Sequence, residues 1–284
     1  MRIDLHTHST ISDGTLTPTQ LMSAAAAAGI DVIGLTDHDT TAGWNEAIAA
    51  LASLHRRVAL APGAEISCLT DDSISVHLVG LLFDRGNTDL AATLAITRDD
   101  RIPRMHAMVE RLSIAGINVT FADVERQLAP GATLGRPHLA DAMVALQIVE
   151  DRAEAFDRFL NNDSPFYVSH MSPSPIEAIR LVKAAGGVAV LAHPGASARG
   201  DCVDEAAIAA MARAGLDALE VDHRDHSEQT RVQLRALAGE LNLLVTGSSD
   251  FHGTGKLNVL GENLTSAVVW EELLSRATGM AVVR

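Results

Sequence analysis

The sequence predicts an α/β protein built from β/α units and interrupted by a mainly helical insertion at 87–170. Two observations carry this reading. Short β-rich runs alternate with helical stretches on either side of the insertion, the pattern of parallel strands joined by crossover helices. The insertion lacks strand-like runs apart from a short one, FYVSH, at 166–170. With 284 residues and 47% hydrophobic side chains the chain can bury a substantial core, and it contains no internal repeat or low-complexity linker.

The elements follow in order. IDLHTH (3–8) is the first strand and PTQLMSAAAAAG (18–29) its helix; DVIGLTDH (31–38) is the second, followed by the helical segment 41–54. VALAPGAEISC (58–68) and ISVHLVGLLF (74–83) are the next two strands. After the insertion come VAVLAHPG (188–195), ALEVDH (218–223) and LLVTGSSDFHG (243–253), with helices between or after them. Thr17-Pro18-Thr19-Gln20 and Ser174-Pro175-Ile176-Glu177 each read as an N-cap, a proline at the first helical position and a capping-box partner three residues after the cap. Gly29, Gly186 and Gly215 follow alanine-rich helices where a left-handed C-terminal residue belongs.

Charge narrows the partners. A formal net charge of −14 argues against adhesion to duplex DNA, which depends on many cationic phosphate contacts. An anionic substrate therefore needs local positive charge, from metal ions or from arginine. Arginine dominates: 20 Arg stand against two lysines, Lys183 and Lys256, and the guanidinium fork suits phosphate. No run is long and apolar enough to span a bilayer and no secretory leader pattern is present, so a cytoplasmic protein without membrane contact is expected. No feature marks an obligate protein partner. Cys68 and Cys202 form no C-x-x-C pair and read as buried small hydrophobes.

On a strand, His6 and His8 at i and i+2 share one face. Alone, such a pair reads equally as a solvated strand end. The same residue types recur, however, at the ends of nearly every strand-like run: Asp13 after the first, Asp37, His38 and Asp39 in TDHD, Glu65 in PGAEIS, His77 in SVHLVG, His193 in AHPG, Asp250 and His252 in SDFH. Ligands bind at the C-terminal ends of parallel strands, and unpaired buried carboxylates are among the costliest groups to retain. Multivalent cations resolve that cost. Imidazole and carboxylate together suit Mn²⁺, Fe²⁺ or Zn²⁺, and the absence of cysteine ligands argues against purely structural zinc.

The order H-x-H, TDHD, a Glu, a His, HPG and D-F-H resembles the polymerase and histidinol phosphatase (PHP) superfamily, over roughly 1–86 and 171–284. The resemblance implies a distorted (β/α)7 barrel holding three divalent ions, with manganese the first choice and iron or zinc next. It implies His6, His8, Glu65 and Asp250 around one ion, Glu65, His77 and His193 around a second, and Asp13, His38 and His252 around a third. GRPHLADAM (135–143), the arginine-bearing helix near 101–104 and EVDHRDH (220–226) resemble a branch whose members are 3′,5′-nucleoside bisphosphate phosphatases or 5′–3′ exonucleases on short RNA. That implies a small phosphorylated substrate, with the ions on the phosphate being cleaved and Arg101, Arg104, Arg136, His138, His223 and Arg224 on the rest of the molecule.

Ions of this kind activate water, neutralise phosphoryl oxygens and clamp attacking and departing groups. His223 and His226, which flank Arg224, and His138 are candidates to protonate the leaving oxygen. Asp37 and Asp39 are expected to orient ligand histidines by accepting their second N–H. His55, His106 and His170 read as surface or structural. Three readings compete: a histidinol-phosphate phosphatase, which the arginine-rich insertion disfavours; a metal-dependent amidohydrolase, which TDHD and SDFH fit less well; and a non-catalytic metal-binding module, whose mark would be missing ligands.

Overall fold

The computed structural model describes residues 1–197 and 200–284. Seven strands lie in one sheet in chain order: β1 (Ile3–Thr7), β2 (Val32–Leu35), β3 (Ala59–Leu69), β4 (Ser75–Leu81), β5 (Val188–Leu191), β6 (Ala218–Asp222) and β7 (Leu244–Gly247). The sheet curls until its ends meet through a bridge between Thr7 and Phe251, so the barrel is distorted as expected. It is not wholly parallel. β4 runs antiparallel to both β3 and β5, because only residues 70–74 separate it from β3 and a parallel connection needs a dozen residues or more.

Successive strand residues enter different apolar clusters, as a pleated sheet buried on both faces requires. Ile33, Leu60, Leu78, Ala189 and Leu191 pack with helices α1 (Pro18–Ala27), α2 (Trp44–Leu51) and α7 (Pro175–Ala184), also α8 (Glu205–Ala214) and α9 (Glu228–Glu240). Their neighbours Val32, Ala61, Val79, Val188 and Val190 form a second cluster that Trp270 and Leu273 of α10 (Ala267–Arg276) complete.

The capping signals act as read at Thr17, whereas at Ser174 the cap forms without the expected reciprocal bond from the Glu177 side chain among the described residues. Thr17 Oγ1 accepts from the Gln20 N–H at 3.2 Å while the Gln20 side chain accepts from the Thr17 N–H at 2.9 Å, and Ser174 Oγ accepts from Glu177 N–H at 3.2 Å. Gly29, Gly186 and Gly215 have φ of 72°, 76° and 110°.

Residues 88–160 carry α3 (Thr88–Ile114), α4 (Phe121–Glu125), α5 (Arg136–Ala145), α6 (Arg152–Ala155) and a π-helical turn, Phe156–Leu160. They share an apolar cluster of their own, including Met105, Met108, Leu112, Leu139 and Met143. The strand expected at 166–170 does not form. Its carbonyls are taken by arginines instead, Val168 O by Arg104 Nε at 2.6 Å and Tyr167 O by Arg111. Cys68 is buried as expected, whereas Cys202 is exposed on the segment before α8. No helix among the described residues is long and apolar enough to cross a membrane.

Candidate metal centre

Two irregularities in the sheet shape the site. The β1–β2 register slips between Asp4 and Thr7, and the β6–β7 register slips between Glu220 and Asp222. Such bulges re-aim side chains. The first carries His6, whose Nε2 meets His8 Nε2 at 3.1 Å; the second carries Glu220, whose Oε1 lies 3.1 Å from His6 Nδ1. Asp39, His193 and Asp250 have φ of 52°, 30° and 51°, strained backbone of the kind held at functional sites.

Glu65 is the hub. Its Oε2 lies 3.2 Å from His6 Nε2, 3.0 Å from His8 Nε2 and 3.2 Å from His38 Nδ1; its Oε1 lies 2.7 Å from His77 Nδ1 and 3.1 Å from His193 Nε2. Asp13 anchors a second gathering, with Oδ1 3.3 Å from His252 Nε2 and 3.7 Å from His8 Nδ1, and Oδ2 3.6 Å from His38 Nε2. Asp250 Oδ1 stands 3.5 Å from His6 Nε2 and 3.4 Å from His8 Nε2. All nine expected ligand side chains therefore converge. Ligand atoms of His6, His8, Glu65 and Asp250 fall within 4.8 Å of one another; so do those of His8, Asp13, His38 and His252, and those of His38, Glu65 and His77. His8 and His38 thus stand in two groups each, which the sequence did not indicate, and His38 takes the place expected of His193 beside Glu65 and His77, His193 touching Glu65 Oε1 from outside the three groups.

The placement departs from the simple strand-end rule. His77 is near the start of β4, and reaches the rim because that strand is antiparallel. Glu65 is mid-strand, since β3 continues past the rim as a hairpin with β4.

Electrostatics shows what the site lacks. Burial pushes the Glu65 carboxyl up, but His77, His6 and His38 outweigh it and hold it well below the usual range. Asp13 is likewise raised by burial and pulled far lower by His252 and His38. The cost returns to the imidazoles: burial disfavours charge on His8, yet Asp250 and Glu65 lift it to about 9. Burial, then Lys256 and His8, keep His252 at about 3, the neutral ligand form. Buried Asp13 Oδ1, His38 Nδ1 and His252 Nε2 have no hydrogen-bond partner among the described residues. Buried polar atoms are normally satisfied; here Asp13 Oδ1 and His252 Nε2 face each other, and His38 Nδ1 faces Glu65 Oε2. Divalent cations fit that donor set of imidazole nitrogen and carboxylate oxygen.

Residues outside the nine divide differently from expectation. Asp37 accepts no histidine N–H: Oδ1 takes Ser9 N–H at 2.8 Å and Ser12 Oγ at 2.7 Å, and Oδ2 takes Ser9 Oγ at 2.7 Å. It therefore holds the loop that carries His8 and Asp13. Asp39 accepts from Ser67 N–H and from Arg101 Nη2 at 2.7 Å. The carboxylate that does hold a histidine is Glu220, which takes His6 at Nδ1 and the His193 N–H at 2.9 Å, leaving His6 Nε2 for a cation. Burial raises Glu220, but His6 outweighs it and sets it at about 2. A glutamate in the otherwise apolar run ALEV was the signal for it, since a buried carboxylate requires a partner.

The arginines separate too. Arg101 is buried and its donors are committed to Asp39, Ser67 Oγ and Leu134 O. Arg224 is exposed and its guanidinium is paired with Glu262. Arg101→Met should cost about 3–5 kcal/mol in urea denaturation, because it strands a buried aspartate; Arg224→Ala should cost about 0–1 kcal/mol. Equal effects would contradict this division. Arg104 and Arg136 flank the Tyr167 ring at 5.3 and 5.1 Å and make no carboxylate ion pair among the described residues. Burial, then Arg136 and Arg101, lower Arg104 to about 9; burial lowers Arg136 to about 10. Arg136 lines one cleft with His77 and His193.

His170, read from sequence as surface or structural, faces this cationic group. Burial, then Arg101 and Arg104, depress it to about 2, and its Nε2 has no hydrogen-bond partner among the described residues. Its contribution to stability is present above the unfolded pKa of about 6.5 and is lost as pH falls. His170→Asn should flatten the pH dependence of ligand-free stability below pH ~6.5 by up to about 1.4 kcal/mol per pH unit; an unchanged slope would refute it. His138 Nδ1 accepts from Gly135 N–H at 3.0 Å, capping α5, and burial lowers its pKa. His223 is wholly buried; Nδ1 accepts from Asp225 N–H at 3.1 Å, and Nε2 lies 3.5 Å from Asp250 Oδ2.

Residues 4–121 match the family described as PHP domain. Over 254 residues, 89% of this chain and 88% of the other, the sequence is 36% identical to the 3′,5′-nucleoside bisphosphate phosphatase of Chromobacterium violaceum. The chain belongs to the PHP family. This PHP protein is also 33% identical over 276 residues to a 5′–3′ exoribonuclease of Haemophilus influenzae, covering 95% of this chain and 98% of that one. A solved structure from Bifidobacterium adolescentis, assigned as a metal-dependent phosphoesterase, superposes with a TM-score of 0.90 at 40% identity, covering 97% of this chain and 96% of that one.

Proposed function

We propose that this PHP protein is a metal-dependent phosphoesterase that removes the 3′-phosphate from a nucleoside 3′,5′-bisphosphate. One observation carries the reading. His77 and His193, at the edge of the candidate metal centre, line the same cleft as Arg136, a guanidinium without a carboxylate partner among the described residues. A substrate with two phosphates matches a cleft with two kinds of positive charge. The likeness to the 3′,5′-nucleoside bisphosphate phosphatase supports the same substrate class.

The nine side chains His6, His8, Asp13, His38, Glu65, His77, His193, Asp250 and His252 hold three divalent ions, manganese first, with iron or zinc as the other fits. Bound ions of this kind supply a nucleophile at neutral pH and neutralise the phosphoryl oxygens. Glu220 fixes the orientation of His6, and Asp37 fixes the loop of His8 and Asp13 through Ser9 and Ser12. Arg104 and Arg136 hold the second phosphate, and Arg101 positions Asp39 and Ser67 beneath them. His223, whose Nδ1 accepts from the Asp225 N–H, offers its Nε2–H to the leaving oxygen as a hydrogen-bond donor, and the proton that oxygen gains comes from solvent water. His138 and Arg224 take no part in the reaction in this reading.

The test is phosphate release by Mn²⁺-loaded protein from adenosine 3′,5′-bisphosphate, 5′-AMP, histidinol phosphate and short oligoribonucleotides. The bisphosphate should be turned over with the highest kcat/KM. Preference for histidinol phosphate would reject the substrate assignment, and inactivity on every phosphoester with metal loaded would leave a binding module. Stepwise digestion of RNA from its 5′ end is a second reading, supported by the 33% likeness to an exoribonuclease along almost its whole length.

A further inference from the structure

Lys256 is one of two lysines among 22 basic residues, and its ammonium reaches a candidate metal ligand. The two oxygens of Asp250 face different company. Oδ1 lies 3.5 Å from His6 Nε2, 3.4 Å from His8 Nε2 and 3.5 Å from His252 Nδ1, whereas Oδ2 lies 3.0 Å from Lys256 Nζ and 3.5 Å from His223 Nε2.

The loop that returns Lys256 to Asp250 is tightly built. Gly253 has φ of 70°, and a Cβ there would fall 2.0 Å from Thr15 Oγ1; a Cβ on Gly255 would fall 2.2 Å from Arg152 Nη1. Thr254 N–H donates to Thr15 Oγ1 at 2.9 Å. The turn is thus closed between the β1 loop and α6, with room for glycine alone at Gly253, while at Gly255 the tip of the Arg152 side chain closes over the backbone. A compact ammonium on a flexible stem suits its end better than a planar guanidinium, because it can sit on one oxygen while half exposed to solvent.

A carboxylate can offer a cation one oxygen or two. With Oδ2 held by an ammonium, Asp250 offers one, and catalytic metal sites depend on a position the protein leaves open. The lysine charge also offsets that of the carboxylate, so it weakens the hold on a cation rather than strengthening it. We propose that Lys256 is a positioning residue for phosphoester hydrolysis: it occupies Oδ2 and so makes Asp250 a one-oxygen ligand of the cation shared with His6, His8 and Glu65. This rests on the metal-dependent reading above.

Lys256→Met and Lys256→Gln test it. The Met variant should bind Mn²⁺ more tightly in calorimetry, show weaker visible absorption when loaded with Co²⁺ as coordination number rises, and lose kcat on adenosine 3′,5′-bisphosphate by about 10–100-fold with KM little changed. Glutamine still donates to Oδ2 and should restore the Co²⁺ band and most of kcat. A Met variant with wild-type band and kcat, or with weakened Mn²⁺ binding, overturns the proposal, since a merely structural tie lowers affinity. If Met prevents folding, Lys256→Ala is read in its place: a weakened band with lost kcat supports the proposal, and a wild-type band with wild-type kcat overturns it. A shifted Co²⁺ band in a protein that hydrolyses no phosphoester would instead retire the functional reading while keeping the tie to Asp250.

Discussion

Glu65→Gln should empty the centre and abolish turnover while leaving the fold intact. The substitution preserves shape and removes the one charge that five imidazoles face: His6, His8, His38, His77 and His193 all stand within 3.2 Å of a Glu65 oxygen. Removing one partner from a buried charge cluster costs about 3–5 kcal/mol, which as cation affinity is a factor of roughly 10²–10⁴. Metal content after dialysis, by elemental analysis, should fall from several ions per chain to one or none, with phosphate release lost in parallel. A Glu65→Gln variant that keeps both its ions and its activity would mean that the hub is not Glu65. The apolar cluster around β3 is supplied by neighbours such as Ala64 and Ile66 and not by Glu65, so the far-ultraviolet spectrum should not change.

Arg136→Met should separate the second phosphate from the first. A charge-assisted hydrogen bond is worth about 1.5–3 kcal/mol, so KM for adenosine 3′,5′-bisphosphate should rise roughly 10–150-fold. The phosphate it holds is remote from the reacting bond, so the loss is of uniform binding and kcat should move little. Activity on 3′-AMP, which lacks the second phosphate, should be unchanged. Arg104→Met should behave alike, since both guanidiniums flank Tyr167. The comparison that decides is the ratio of the two substrates: a variant that loses both equally places Arg136 in the metal site or the fold, and not on a second phosphate. Thermal stabilisation by the bisphosphate should shrink in step, because a ligand stabilises only as far as it binds.

Much of the centre was legible from the sequence for a physical reason. A cation site needs particular side-chain atoms, and His, Asp and Glu at strand ends announce those atoms by type and spacing. The slip of register in β1 does not disturb that reading, since His6 and His8 still meet. Glu65 and His77 were placed at strand ends by analogy with parallel units, although the β3–β4 hairpin sets them mid-strand and at a strand start. FYVSH has strand-like composition, yet Arg104 and Arg111 supply the donors that a ladder would have given. Propensity describes what a segment tolerates, not which partner reaches its carbonyls.

The α/β class, the cap residues and the nine candidate ligand side chains could be read along the chain, because strand period, cap chemistry and ligand type are local properties. Which charges meet depends on how distant segments come together in space. Arg101 is spent on Asp39, 62 residues away, and Arg224 on Glu262; Arg104 and Arg136 keep their charge beside the cleft. Glu220 reaches His6 across 214 residues. Guanidiniums are alike in composition and differ in function through the carboxylate that lies within reach, and that distance belongs to the path of the chain in space.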